Sequence, residues 1–307
     1  MRVYVSGASG FIGTHVVRVL RERGAEVRDE RVDLLDGPAL ERALRGCTAL
    51  VHVAALYSYD ASPARLRRVN VDGTRTVLEA AARAGIPRIV HTSTAGTCGP
   101  VPGHSATEDD SPPAWELAVP YKQTKLEAER LALAAGAVVV NPTAPVGDGD
   151  RRPTPTGRMV AGVARRRVRG YLAGTGLNVV DVRDVAVGHA LALEHGRAGE
   201  RYLLGGMNLT LDELFARIAA IAGVPRPRVR VPYAAARAAA EVGLVNAHEV
   251  RLARVPMFFD STKAELELGY HAGPIEPALQ RAVTDALARE TRSARAARAE
   301  PAIPSRT

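Results

Sequence analysis

Aromatic residues and cysteine are scarce in this chain, and each shortage removes a class of explanation. Phe, Trp and Tyr make up 4% of 307 residues, with one tryptophan among them. Cys47 and Cys98 are the only cysteines, far apart and outside any CxxC spacing. That excludes a disulfide framework and a cysteine-based zinc site, and both read as buried small hydrophobes. No run of about eighteen apolar residues occurs, so no membrane helix and no membrane partner are expected. The opening "MRVYVSG" enters a strand directly, without the charged, apolar and small-residue regions of a secretory signal, which sets the expectation of a cytoplasmic protein. No metal site is expected either. Asp148 and Asp150 sit in a Gly-rich turn, where carboxylates read as solvated loop residues.

Charge is present in excess of one sign. The net charge is +8, from 41 Lys and Arg against 33 Asp and Glu. Arginine runs occur at Arg165 to Arg167 and in "RETRSARAARAE", but no aromatic residues interleave them. Solvated basic faces therefore account for the excess, and no nucleic-acid partner is expected.

With 46% hydrophobic residues the chain can build a large core, and its patterns alternate between β and α. Strand-like "RVYVSG", "AEVRDERV", "ALVHVAA", "RIVHTST" and "AVVVNPT" are separated by helical "THVVRVLRERG", "GPALERALRG", "ARLRRVNVDGTRTVLEAAARAG" and "YKQTKLEAERLALAAG". This order predicts an α/β fold, a Rossmann-type doubly wound parallel sheet. Residues 1–150 and 177–205 are expected to form the dinucleotide-binding part. Residues 151–176 and 206–290, richer in Pro and Gly turns, read as a smaller α/β substrate-binding region. Residues 291–307 hold almost no large apolar side chains and read as a disordered tail.

"SGASGFIG" carries the first chemical signal. Gly7, Gly10 and Gly13 follow a strand and open an amphipathic helix. Such a turn aims backbone N–H groups and a helix N-terminus at a pyrophosphate, and a side chain at either of the first two positions obstructs the turn or the phosphate. A lone glycine triplet also occurs in plain structural turns; the flanking strand and helix favour the cofactor.

The GxxGxxG spacing, combined with "YKQTK", resembles the short-chain dehydrogenase/reductase superfamily. The order of motifs resembles its extended branch, the NAD-dependent epimerase/dehydratase family. Further matches are "VHVAA", "NVDGT", "HTSTAGTCG", "VVVNPTAPVGDGD", "VVDVRDVAVGHALAL" and "DSTKAELELGY". Within that branch the chain is most similar to dihydroflavonol-reductase-like and hopanoid-associated sugar epimerase-like members. The resemblance implies an NAD(P)-dependent enzyme, with Gly7, Ser9, Gly10, Phe11, Ile12 and Gly13 around the pyrophosphate. It also implies cofactor contacts from Asp33, Leu34, Ala54, Ala55, Pro142 and Thr143, and a sheet-stabilising role for Asn70.

Tyr121 and Lys125 lie four residues apart and share a helix face. A phenol is a poor proton exchanger at neutral pH unless a nearby cation favours its phenolate, which Lys125 is placed to do. The resemblance makes Tyr121 the general acid/base, adds ribose binding to Lys125, and assigns the third catalytic hydroxyl to Thr94. Ser93, its neighbour, faces the other way on an extended strand. Ala95 and Gly96 follow where the 4,6-dehydratases carry an Asp-Glu pair, which argues against dehydration. Arg31 stands where NAD-dependent relatives place aspartate, so NADP is preferred over NAD, with Arg28 a further cation and Asp29 and Glu30 competing carboxylates.

Other residues read more plainly. His52 and His91 are core histidines of apolar strands. Tyr57 and Tyr59 adjoin the expected pocket mouth. The leading function is hydride transfer between a nicotinamide cofactor and the carbonyl or alcohol of a small organic substrate. The alternative is a sugar or nucleotide-sugar epimerase without net redox change, in which Arg151, Arg152 and Arg165 to Arg167 clamp a diphosphate. Extended relatives dimerise through the two helices that contain "GTRTVLEAAARAG" and "YKQTKLEAERLALAAG", so a homodimer is one expectation; the dihydroflavonol-like group also includes monomers.

Overall fold

The computed structural model describes residues 1–299. Strand β1 (Arg2–Ser6) buries Val3 and Val5 on the face where α1 (Phe11–Glu22) packs Val16, Val17, Val19 and Leu20, and Tyr4 on the other face. Gly24, at φ +80°, reverses the chain into β2 (Glu26–Arg28). β2 stops short of the sequence span because Asp29, Glu30 and Arg31 are all exposed. Asp36 caps α2 (Gly37–Leu44), its Oδ1 accepting from Ala39 N at 2.9 Å, as the Asp-Gly-Pro sequence predicts.

Buried β3 (Ala49–His52) leads to α3 (Pro63–Arg67), which runs through a π-helical stretch at Arg68–Asp72 into α4 (Gly73–Arg83). β4 (Ile89–Thr92), the short α5 (Ala114–Leu117), α6 (Pro120–Ala134) and β5 (Val138–Pro142) follow. The remainder comprises β6 (Ala144–Val146), α7 (Pro155–Ala164), β7 (Gly170–Leu172), β8 (Gly176–Asp181), α8 (Val182–His195) and β9 (Arg201–Leu204). Last come β10 (Met207–Thr210), α9 (Leu211–Ala222), β11 (Val229–Val231), α10 (Tyr233–Glu241), α11 (Ala247–Leu252), α12 (Thr262–Leu268) and α13 (Glu276–Ala299).

The main sheet is parallel throughout, in the order β2-β1-β3-β4-β5-β9. Its order reverses beside β1, so a crevice opens at the carboxyl ends of β1 and β3, where Ser6 is in register with His52. α1 packs on α8 against one face, and α2, α4 and α6 cover the other. A second sheet, β10-β8-β6, and the pair β11-β7 adjoin a separate apolar cluster built from α7, α9 and α13. α13 continues through residues 291–299, the stretch whose composition suggested a tail; Ala and Arg are both strong helix formers. Residues 300–307, the rest of that segment, lie outside the described residues. Among the described residues no helix is long and apolar enough to cross a membrane.

Candidate active site

The glycine turn is built by close approach. Gly7 takes a left-handed φ of +73°, and a Cβ there would stand 2.6 Å from Ala54 N. A Cβ on Gly13 would lie 2.1 Å from Gly7 O, so the helix abuts the turn only because that carbon is missing. Gly10 precedes α1 with no side-chain cap, and no acidic residue occupies the first turn. The N-terminal N–H groups at Phe11, Ile12 and Gly13 thus keep their affinity for an anion. These features fit a dinucleotide pyrophosphate. Ser9 is exposed on the same turn.

Asn70 ties the next loop in place. Its Oδ1 accepts from Leu56 N at 2.8 Å, and its Nδ2 donates to Leu56 O at 3.1 Å and Thr124 Oγ1 at 3.3 Å. One side chain so fixes the segment holding Ala54 and Ala55 against α6. Behind it, Ser6 Oγ meets His52 Nδ1 at 2.6 Å and Thr74 Oγ1 meets His52 Nε2 at 3.1 Å. Burial pulls His52 down to about 3 and His91 well below the usual histidine range, so both are neutral core residues.

Tyr121, Lys125 and Glu129 recur every four residues on α6 and share its inward face. Lys125, 2% exposed, donates from Nζ to Thr92 O at 2.8 Å, and burial lowers its pKa to about 8. Tyr121 is 7% exposed. Burial, followed by the neighbouring Tyr57, holds its phenol well above the usual range. Its desolvation outweighs any help from Lys125, whose ammonium is turned to the Thr92 carbonyl. Tyr57 and Tyr59 complete the group, with ring centroids 4.6 and 5.9 Å from Tyr121.

Thr94 is half-buried, and its Oγ1 accepts from Gly96 N at 3.3 Å, which leaves the hydroxyl proton free to donate. Ser93 is buried, its hydroxyl without a hydrogen-bond partner among the described residues. Asn141 Nδ2 donates to Thr94 O at 3.1 Å, so the end of β5, with Pro142 and Thr143, is attached to the Thr94 turn.

Two supporting groups were missed in the sequence. Glu129 accepts from Thr97 Oγ1 at 2.6 Å, Asn141 Nδ2 at 2.7 Å and Arg201 Nη1 at 3.0 Å, and Arg201 also donates to Glu108 O and Asp110 O. The four-residue step from Lys125 to Glu129 is the signal that could have found it. Lys122 and Glu116 form a buried ion pair at 2.8 Å, and Lys122 Nζ fills the space a Cβ on Gly96 would need. No local pattern announces that pair.

Not every expected residue joins the site so directly. Asp33 accepts from Leu35 N at 3.0 Å through Oδ1 and otherwise faces solvent, and Leu34 packs towards Gly73. Arg31 is exposed and makes no ion pair among the described residues, whereas Arg28 is bound to Glu30 at 2.7 Å and Asp29 to Arg21 at 2.9 Å. Asp150 is not solvated: it is 4% exposed, and its Oδ2 accepts from Thr154 N and Oγ1 at 2.9 and 2.8 Å, holding the residue whose hydroxyl caps α7.

Comparison with known proteins bears on this arrangement. The model of the NAD dependent epimerase/dehydratase family matches residues 3–205. A putative dihydroflavonol 4-reductase from Synechocystis sp. is 37% identical over 91% of this chain and 93% of its own. Sterol demethylase protein B from Methylococcus capsulatus is 32% identical over 88% of this chain and 93% of its own. The crystal structure of a nucleoside-diphosphate-sugar epimerase from Pseudomonas aeruginosa superposes with a TM-score of 0.80 at 27% identity, covering 94% of this chain and 98% of that one.

Proposed function

From a chain that belongs to the NAD dependent epimerase/dehydratase family, we propose an NAD(P)-dependent oxidoreductase of the extended short-chain type that reduces a carbonyl of a small organic substrate. The observation that carries this reading is the geometry of α6, which buries Tyr121 and Lys125 one helical turn apart on a single face. A bound nicotinamide dinucleotide supplies the hydride. The residues do the rest. Gly7, Gly10 and the N-terminus of α1 hold the pyrophosphate, with Ser9, Phe11, Ile12 and Gly13 around it. Ala54, Ala55, Pro142 and Thr143 line the path towards the reacting end, and Lys125 holds the ribose. Thr94 donates a hydrogen bond to the substrate oxygen. Tyr121, neutral at physiological pH, delivers the proton that oxygen needs as it becomes a hydroxyl.

NADP is the proposed partner in preference to NAD. Both carboxylates near the end of β2 are engaged, Asp29 by Arg21 and Glu30 by Arg28, and Arg31 is the exposed cation beside them. That charge pattern suits a 2′-phosphate better than a ribose 2′-OH. NADPH is expected to bind at least about tenfold more tightly than NADH in calorimetry, and Arg31→Glu to remove the difference, about 1.4 kcal/mol. A wild type that prefers NADH would contradict this.

Epimerisation is the second reading, favoured by the likeness to a sugar epimerase. One assay separates the two: the protein is incubated with NADPH and a panel of ketones, aldehydes and UDP-sugars while absorbance and sugar isomers are followed. Reduction predicts net NADPH loss, and Tyr121→Phe is expected to slow it by about 10²- to 10⁴-fold. Isomerisation without NADPH loss would support the epimerase instead.

A further inference from the structure

Resting on the hydride-transfer reading, we infer that the site takes neutral, largely apolar carbonyl compounds, aryl ketones above all, with Tyr57 as the specificity-determining residue. In a chain with 4% aromatic residues, three of its eight tyrosines meet at one point. Tyr57 lies over Tyr121 at 4.6 Å with the rings 31° from parallel, and Tyr59 meets both rings edge-on. Tyr57 is 43% exposed, whereas Tyr121 is 7% exposed, so Tyr57 is the outer wall that an incoming substrate meets first. Behind the rings the surroundings are aliphatic: Leu66, Val119 and Leu252 are buried there and Leu56 packs against them.

The polar atoms of this wall are few. The Tyr57 and Tyr59 hydroxyls spend one donor on each other at 3.2 Å, which leaves a single phenol O–H to meet the many hydroxyls of a sugar. Charge points the same way. Arg158 and Glu249 both act on Tyr57, and they are paired with each other at 2.9 Å. Glu116 acts on Tyr59 and is paired with Lys122 at 2.8 Å. Asp150, the second carboxylate near Tyr57, is held by Thr154 and lies close to Arg289. Among the described residues the cation that acts on Tyr57 is Arg158, already paired with Glu249, while a flat apolar group gains ring contact as it replaces water. Arg151 and Arg152 are exposed on the loop beyond Asp150, so a nucleotide sugar belongs in the test.

The experiment compares kcat/KM with NADPH for acetophenone, acetone, pyruvate and UDP-4-keto-glucose, in the wild type, Tyr57→Ala and Tyr57→Phe. Calorimetric binding of 1-phenylethanol to the NADP-loaded protein is read beside it, and thermal melts establish that each variant folds. Acetophenone is expected to exceed pyruvate and the nucleotide sugar by more than about tenfold, and Tyr57→Ala to lower the acetophenone-to-acetone ratio and the 1-phenylethanol affinity about 3- to 10-fold. Tyr57→Phe should keep both. Equal or better turnover of pyruvate or the nucleotide sugar, or a ratio unmoved by Tyr57→Ala, overturns the substrate class while leaving hydride transfer standing. Absence of hydride transfer to every carbonyl, with 1-phenylethanol unbound, overturns both.

Discussion

Lys125 is the residue whose environment makes the sharpest demand. Burial lowers its pKa from 10.5 to about 8, so the ammonium is present below that pH and lost above it. The folded protein releases this proton more readily than the unfolded chain. Burying the charge therefore costs stability below about 8, and the cost is relieved as pH rises through 8 towards 10.5. Function runs the opposite way: a charged Lys125 is needed at the ribose, so kcat/KM for carbonyl reduction should fall above pH 8, with Lys125→Arg moving that limb upward. A pH profile from about 6 to 10 checks this; an unmoved limb in the arginine variant would show that another group titrates. Gly13 makes a steric demand of the same sharpness. Gly13→Ala places a methyl 2.1 Å from Gly7 O, and such overpacking is expected to cost about 1–3 kcal/mol and to abolish NADPH binding. Thermal melts and calorimetry read both effects, and tight NADPH binding by this variant would refute the proposed seat.

Among the elements, α6 depends most on partners distant in sequence. Its inward face carries Glu129, 1% exposed, which receives Thr97, Asn141 and Arg201 from three other segments. Arg201→Met would strand that carboxylate, at about 3–5 kcal/mol, with a lower urea midpoint and an unchanged slope as the expected signature. The sequence made the local half of this element legible. Tyr121 and Lys125 share a face by spacing alone, and Asp36 announced the start of α2. Arg201 lies 72 residues from Glu129 in the chain, so no periodicity joins them. For the same reason Glu116 and Lys122 were not legible as a pair: their meaning depends on the empty side of Gly96. Spacing likewise shows that a lysine lies one turn from Tyr121 but not that its ammonium meets the Thr92 carbonyl.

Across the whole molecule, the parallel sheet was legible because every strand is followed by a helix or turn whose apolar period changes from two to three or four. The order β2-β1-β3-β4-β5-β9 then brings Gly7, Ala54, Thr94 and Pro142, all at carboxyl ends of strands, to one edge of the sheet. The region that would hold the substrate was less legible, since its short strands β6, β7, β8, β10 and β11 belong to two small sheets interrupted by turns. What the assembled edge is for can be measured in one reaction. The protein is given NADPH carrying deuterium at the transferable position together with acetophenone, and the alcohol is examined by mass spectrometry. Hydride transfer from the nicotinamide with Tyr121 as proton donor requires deuterium on the carbinol carbon, and formation of that labelled alcohol is nearly lost in Tyr121→Phe with its cofactor affinity retained. Unlabelled alcohol, or full labelling by Tyr121→Phe at the wild-type rate, would contradict it.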